Sequence, residues 1–398
     1  MLAADRPTKL AALISHPIQY IVPLLQRLAK RPEVDLTVFY MSEVGIKPAV
    51  VEGLGQTFVW DIPLLEGYRH KFLRNYSPHP HRQRPTAKLN LGIANELLLG
   101  RFDALYLHGY VAATEILAFG CAKALRLPIL FHGDTVLDSN SQRPAWLRET
   151  FRRQFTANID AALAMSGRAR AFYQHYGVPA ERIFWSPLAV DNERWMREAQ
   201  ERRGDRESAL RELGLDPSLP TLLHVSLMRP VKRPKDLLLA FEQLKTPANL
   251  VMVGGGPMNE ELQTYCREKA LPRVKFVGPQ NMSTLGRYYA LASVFVLPSE
   301  HEVNPLTVRE AMCFGLPVIT SDRVQSAGDF IEEGRNGFTF PMGNVKELAN
   351  RIDEVIADPQ RLAEMGARSF ELIQPWNYEV GVNGILEALG AVVQRAGK

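Results

Sequence analysis

Pro298-Ser-Glu-His-Glu-Val-Asn-Pro-Leu-Thr-Val-Arg-Glu-Ala-Met-Cys-Phe-Gly-Leu-Pro-Val-Ile319 is the stretch from which the rest of the chain can be read. The apolar, β-branched and aromatic run Val294–Leu297 before it predicts a buried strand. Asn304 suits the N-cap of a following helix, Pro305 its first helical position, and Gly315 with Pro317 its end. Glu302 then falls in the strand-to-helix loop, and Glu310 lies two turns further on. Between them is a helix N-terminus whose backbone N–H groups lack intrahelical partners, a natural seat for phosphate. Ionised carboxylates are strong acceptors for paired O–H donors, so one on each side of such a seat suits a nucleotide-sugar. Two solvated glutamates on a surface helix are the plain alternative. The buried strand and the Pro-Ser turn in front of them argue against it.

The segment resembles the Glu-x7-Glu signature of the retaining glycosyltransferases of family 4. Their fold is GT-B, an α/β architecture of two Rossmann-like parallel-sheet domains facing across a cleft. The resemblance implies that Glu302 contacts the donor sugar and Glu310 the ribose of the nucleotide. One departure stands out: the family has a Gly-Phe-Gly-like tripeptide after the first Glu, and this chain has Val303-Asn304-Pro305. Proline carries no N–H, so one phosphate contact is missing. The amides of Leu306 and Thr307 remain, and with Asn304 they are assigned to the donor.

The bulk properties agree with two domains. A chain of 398 residues is too long for one ordinary domain and comfortable for two of about 180 each. No apolar stretch approaches the ~20 residues of a membrane helix. The beginning, Met1–Pro7 followed by Thr8–Ser15, lacks the apolar core of a signal peptide and runs into a strand pattern. Cys121, Cys266 and Cys313 are scattered and form no CxxC, which favours a reducing compartment and a cytoplasmic address. The segment Tyr68–Lys88 is basic, aromatic and broken by prolines, so it reads as an irregular loop, solvated or facing anionic lipid or an acidic acceptor. Peripheral contact with the inner face of the membrane is the expectation it raises. Nucleic acid is rejected, because no binding motif or basic helix accompanies the segment.

Strands and helices alternate along most of the chain. Leu10–Ser15, Asp35–Tyr40, Ala104–His108, Ile129–His132, Ala161–Ser166 and Arg182–Ser186 read as one series of strands. Thr221–Ser226, Asn249–Val253, Val274–Gly278, Val294–Leu297 and Pro317–Thr320 read as a second. Apolar strands alternating with helices predict parallel sheets covered on both faces, with ligands beyond the carboxyl ends of the strands. The charged, helix-prone stretch Arg197–Pro220, broken by Asp216-Pro217 and Leu219-Pro220, separates the series. The expected division is 1–212 for an acceptor-binding domain, 213–375 for a nucleotide-sugar-binding domain, and 376–398 for a helix that, by the resemblance, crosses back onto the first.

Supporting motifs fall at the expected ends of strands. After the first strand of the second series comes Ser226-Leu-Met-Arg-Pro-Val-Lys-Arg-Pro-Lys-Asp-Leu-Leu-Leu-Ala-Phe241. Lys232 matches the family lysine, while Leu227 stands where a basic residue is usual and Arg229 is the substitute. Cations there would oppose the charge that grows on a departing nucleoside diphosphate. Gly254-Gly255-Gly256-Pro257 resembles a turn that lets backbone approach a nucleotide, with Gly255 as the donor-binding position, although a glycine cluster without GxGxxG spacing is weak. Gly278-Pro-Gln-Asn281 resembles a base-binding loop. In the first half, His16, His108 and His132 each follow or close a strand. By the resemblance His132, within Phe131-His-Gly-Asp-Thr135, bonds the donor sugar near its anomeric carbon or steadies the developing charge, and His16 flanks donor and acceptor.

No Asp-x-Asp and no zinc-spaced Cys/His cluster occurs, so neither metal nor cofactor is expected. The reading is a retaining sugar transferase that moves a sugar from a UDP- or GDP-sugar to a glycan or lipid-linked acceptor, in the synthesis of cell-surface polysaccharide or glycoconjugate. A GT-B sugar-nucleotide epimerase, or a subunit that binds a nucleotide-sugar without turnover, are the alternatives.

Overall fold

The computed structural model describes residues 6–46, 49–50, 57–58, 61–80, 84–133, 145–202 and 204–396. In chain order the strands are β1 Thr8–Ile14, β2 Val34–Tyr40, β3 Ala49–Val50, β4 Thr57–Phe58, β5 Arg69–Phe72, β6 Ala104–His108, β7 Ile129–His132, β8 Ala161–Ala164, β9 Ile183–Trp185, β10 Thr221–Val225, β11 Asn249–Val253, β12 Val274–Gly278, β13 Val294–Leu297, β14 Val318–Ser321 and β15 Gly337–Phe340. The helices are α1 Val22–Ala29, α2 Ile93–Gly100, α3 Ala113–Ala124, α4 Ala145–Ala157, α5 Gly167–His175, α6 Asn192–Glu201, α7 Arg206–Glu212, α8 Pro234–Glu242, α9 Asn259–Glu268, α10 Met282–Leu291, α11 Leu306–Cys313, α12 Ala327–Phe330, α13 Val345–Ile356, α14 Pro359–Ile373 and α15 Tyr378–Ala396. The chain divides into two units, one of 1–47, 62–188 and 378–398, the other of 48–61 and 189–377.

The first unit is built on a seven-stranded parallel sheet ordered β5-β2-β1-β6-β7-β8-β9. Its middle strands are apolar throughout: Leu10–Ile14 and Ala161–Ala164 are fully buried, as a parallel sheet with helices on both faces requires. Helix α15 completes this unit. It packs on α1, β6, β8 and β9 through Val382, Ile385, Ala388 and Leu389, all fully buried. Its start is fastened by Arg27 lying 4.9 Å over the Tyr378 ring, by Arg31 paired with Glu379, and by the Ser186 hydroxyl donating to the Gly381 carbonyl at 3.1 Å.

The second unit carries a six-stranded parallel sheet ordered β12-β11-β10-β13-β14-β15. Its helices show the matching stripe; in α13, for example, Leu348, Ala349, Ile352, Val355 and Ile356 face inward. Both units are thus Rossmann-like, and in each sheet the order in which strands are added reverses once, between β1 and β6 in the first and between β10 and β13 in the second.

Three expectations are corrected. The boundary lies at 188/189 and not at 212/213, because α6 and α7 pack on α10 and α11 of the second unit. Trp195 of α6 is the anchor, fully buried with its ring 5.9 Å from both Tyr289 and Phe314. Ala49–Val50 and Thr57–Phe58, inside the expected first domain, fall in the second unit. The segment 68–88 is not all loop: Arg69–Phe72 forms the edge strand β5, with Phe72 stacked on Tyr40 at 5.4 Å.

Candidate active site

The site is assembled at the reversal of the second sheet. Strands β10 and β13 are hydrogen-bonded neighbours, so the loops that leave their carboxyl ends meet although 70 residues apart. The Glu300 amide donates to the Val231 carbonyl at 2.8 Å, and Arg233 stands 3.7 Å from the Glu300 carboxylate. On its other side the β13 loop is held by the loop after β14, where the Gln325 amide donates to the Glu302 carbonyl at 2.8 Å. Between these ties Lys232 and Glu302 form an ion pair, their side chains 20% and 17% exposed. Burial and the neighbouring Arg229 guanidinium push the Lys232 ammonium down to about 8, a tendency the paired carboxylate opposes.

Helix α11 starts at Leu306, one residue later than expected. Pro305 is its N-cap, and no side chain caps its first turn, so the amides of Leu306 and Thr307 begin the helix uncapped. Asn304 therefore does not serve as the N-cap; its side-chain oxygen accepts a hydrogen bond from Arg309 Nη2 at 2.9 Å. The helix ends at Cys313, with Gly315 left-handed at φ 67°, as the Gly-Pro ending predicts.

Glu310 is buried, and Tyr289 donates its hydroxyl to Oε2 at 2.7 Å. Burial pushes its carboxyl up to about 7, against the pull of the Tyr289 hydrogen bond and of Arg194. Neither signature glutamate points into bulk solvent.

The glycine turn after β11 packs directly on the β10 loop. A side chain on Gly254 would put its Cβ 1.9 Å from the Ser226 carbonyl oxygen, and one on Gly256 would sit 2.6 Å from that of Met228. The missing side chains let this turn lie against the β10 loop, and the Gly255 carbonyl accepts the Met228 amide at 2.9 Å.

The histidines lie in the first unit, at the reversal of its own sheet. His16 follows β1, His108 ends β6 and His132 ends β7. Rings 108 and 132 are 5.7 Å apart and perpendicular. His132 Nε2 lies 3.1 Å from the Ser186 carbonyl, so this nitrogen carries the proton, and Nδ1 accepts from the Tyr106 hydroxyl at 2.5 Å. Burial, with His108 adding to it, pushes the ring down to about 3, so it is neutral. Both its nitrogens are engaged within the unit. His16, bonded at Nδ1 to the Ser15 hydroxyl at 2.9 Å, is pushed down to about 4 by burial, then by Lys88 and His108. Asp134 and Thr135 lie outside the described residues.

The site has members that sequence reasoning missed. Arg309 is fully buried next to Glu310, and Tyr289 reaches Glu310 from α10. A fully buried His224 within β10 donates from Nδ1 to the Val296 carbonyl and takes the Ser226 hydroxyl at Nε2. No spacing signal marks these; only their burial does.

Two family models cover most of the chain. Residues 19–194 match the glycosyltransferase family 4 model, and residues 205–371 match that of glycosyl transferases group 1. The chain belongs to the family 4 glycosyltransferases. A D-inositol 3-phosphate glycosyltransferase of Nocardia farcinica is 29% identical over 261 residues, 62% of this chain and 56% of that protein. The chain thus spans little more than half the length of that curated relative. Among solved structures, HepE of Anabaena in complex with UDP is similar with a TM-score of 0.70 at 18% identity, covering 96% of this chain and 99% of that one. Its complex with UDP-glucose gives 0.67 at 17%, covering 98% and 100%. Sucrose-phosphate synthase from Thermosynechococcus elongatus gives 0.69 at 19%, covering 98% and 99%. These likenesses give the GT-B fold.

Proposed function

We propose that this family 4 chain transfers a sugar, with retention, from a nucleotide-sugar to a glycan or lipid-linked acceptor. The observation that carries the reading is the convergence of Lys232 and Glu302 at the reversal of the second sheet, beside the uncapped start of α11. In the proposal the diphosphate takes the amides of Leu306 and Thr307, with Lys232 and Arg229 opposing its charge where other enzymes would use a metal. Glu302 is released from Lys232 to accept sugar hydroxyls, and Glu310 accepts those of the ribose. His132 contributes the Nε2 proton now donated to Ser186, and His16 stands beside the acceptor. The departing phosphate receives the acceptor's proton, so the protein supplies positioning and electrostatics. Uridine is the favoured base, since UDP and UDP-glucose are the ligands of HepE.

The acceptor side is assigned to the first unit. Of the twelve exposed large hydrophobic residues among the described ones, eleven belong to it, among them Leu99, Val111 and Trp146, each at least 66% exposed. No helix of the described residues is long and apolar enough to cross a membrane. Peripheral contact of this unit with a membrane that carries the acceptor is the reading these residues support.

The first experiment is a thermal-shift screen of UDP, GDP and their sugars, followed by transfer assays with the donor that binds. Glu302→Ala is expected to abolish transfer, and Glu310→Ala chiefly to weaken donor binding. Full activity in both variants would refute the assignment. Interconversion of the donor without any acceptor would favour the epimerase instead, and donor binding without turnover across many acceptors the binding subunit.

A further inference from the structure

Arg309 buries a guanidinium completely inside the second unit. Such burial is costly unless the group's donors are used, so its partners indicate what it does. Two of them belong to one short turn. Nη2 donates to Asn304 Oδ1 at 2.9 Å, and Nη1 reaches the Pro305 carbonyl at 3.5 Å. On its flat face the group lies 4.4 Å over the ring of Phe330 and 5.7 Å from that of Trp376. The aromatic rings hold the planar fork, and the fork holds the turn.

This turn is the one in which the chain departs from the glycine-containing tripeptide of its family. Glu302 lies two residues before Asn304, and the amides of Leu306 and Thr307 follow directly on Pro305. We infer that Arg309 is a positioning residue for the diphosphate of the donor. From beneath, it fixes Val303–Pro305 so that the amides starting α11 are ordered before the ligand arrives. This rests on the assignment of that helix start to the diphosphate, and it adds a residue that touches neither sugar nor nucleotide.

The test is calorimetric titration of the full chain with UDP and, separately, with uridine, which has no phosphate. Arg309→Met is expected to weaken UDP at least tenfold and to leave uridine unchanged. Arg309→Lys keeps the charge without the two-pronged fork and should recover part of the loss. Asn304→Ala cuts the same contact, so the double variant should bind UDP no worse than the weaker single one. If Arg309→Met does not fold, Arg309→Lys and Asn304→Ala carry the test, and wild-type UDP affinity in either overturns the inference. So does a folded Arg309→Met that melts earlier yet binds UDP like wild type, which is the behaviour of a purely structural residue. Losses that multiply in the double variant overturn it as well. A wild-type chain that binds neither UDP nor GDP would remove the parent reading along with this one.

Discussion

Glu310 shows how a single carboxylate links stability to ligand binding. Its carboxyl is raised by burial from an ordinary value near 4.5 to about 7, so between those values the folded chain holds a proton that the unfolded chain has lost. Folding stability from this group is therefore fully present below about pH 4.5 and is lost as the pH rises through 7, in total roughly 3 kcal/mol. Glu310→Gln keeps an acceptor for Tyr289 and cannot ionise, so its urea midpoint should stay level from pH 5 to 8 where that of the wild type falls. Parallel slopes would count against the buried carboxyl. At Lys232 the sign concerns function: above about pH 8 the ammonium is lost, and with it a cation for the diphosphate. We expect kcat/KM to drop along an alkaline limb that Lys232→Arg removes, and to be about 100-fold below wild type on the acid side of that limb in Lys232→Met, which has no such limb. Lys232 and Glu302 were legible because each sits in its own local pattern of turn and helix residues. Arg309 and Tyr289 were not, because helical spacing shows which face a residue occupies and not which polar group the fold will bury.

At the level of elements, the strand-to-helix alternation was read almost as it stands, and the strands missed are instructive. Arg-His-Lys-Phe at 69–72 carries no apolar alternation because β5 is an edge, its first three residues exposed and only Phe72 turned inward. Charge likewise hid which core α6 and α7 enter: Trp195 and Leu210 bury them in the second unit. The N-cap at Asn304 failed for a third reason: Arg309, five residues on in the same helix, captured the side chain that capping would have used. The turn at Gly254–Gly256 offers a test at this scale. Gly254→Ala combines a φ of 124° with a Cβ 1.9 Å from the Ser226 carbonyl, and should cost roughly 2–4 kcal/mol. Differential scanning calorimetry should show the loss as a lower melting temperature; an unchanged one would mean that the two loops can part freely.

Over the whole molecule, the expected two Rossmann-like sheets are present and the dividing line is not where composition suggested. Composition reports surface character, whereas a boundary is set by which core each helix enters. Helix α15 makes the same point, since it follows the second unit in the chain yet supplies Val382, Ile385, Ala388 and Leu389 to the core of the first. Removing residues 378–398 should leave the first unit open to limited proteolysis while the second keeps a cooperative melting transition and the nucleotide affinity proposed for it. Equal protease resistance with and without the helix would contradict this. The same connectivity orders events during synthesis. The sheet that leaves the ribosome first must wait, with one face incompletely covered, until 378–396 have been made, and these residues follow the whole of the second unit in the chain. For this chain the half made second is the half that is free to fold first.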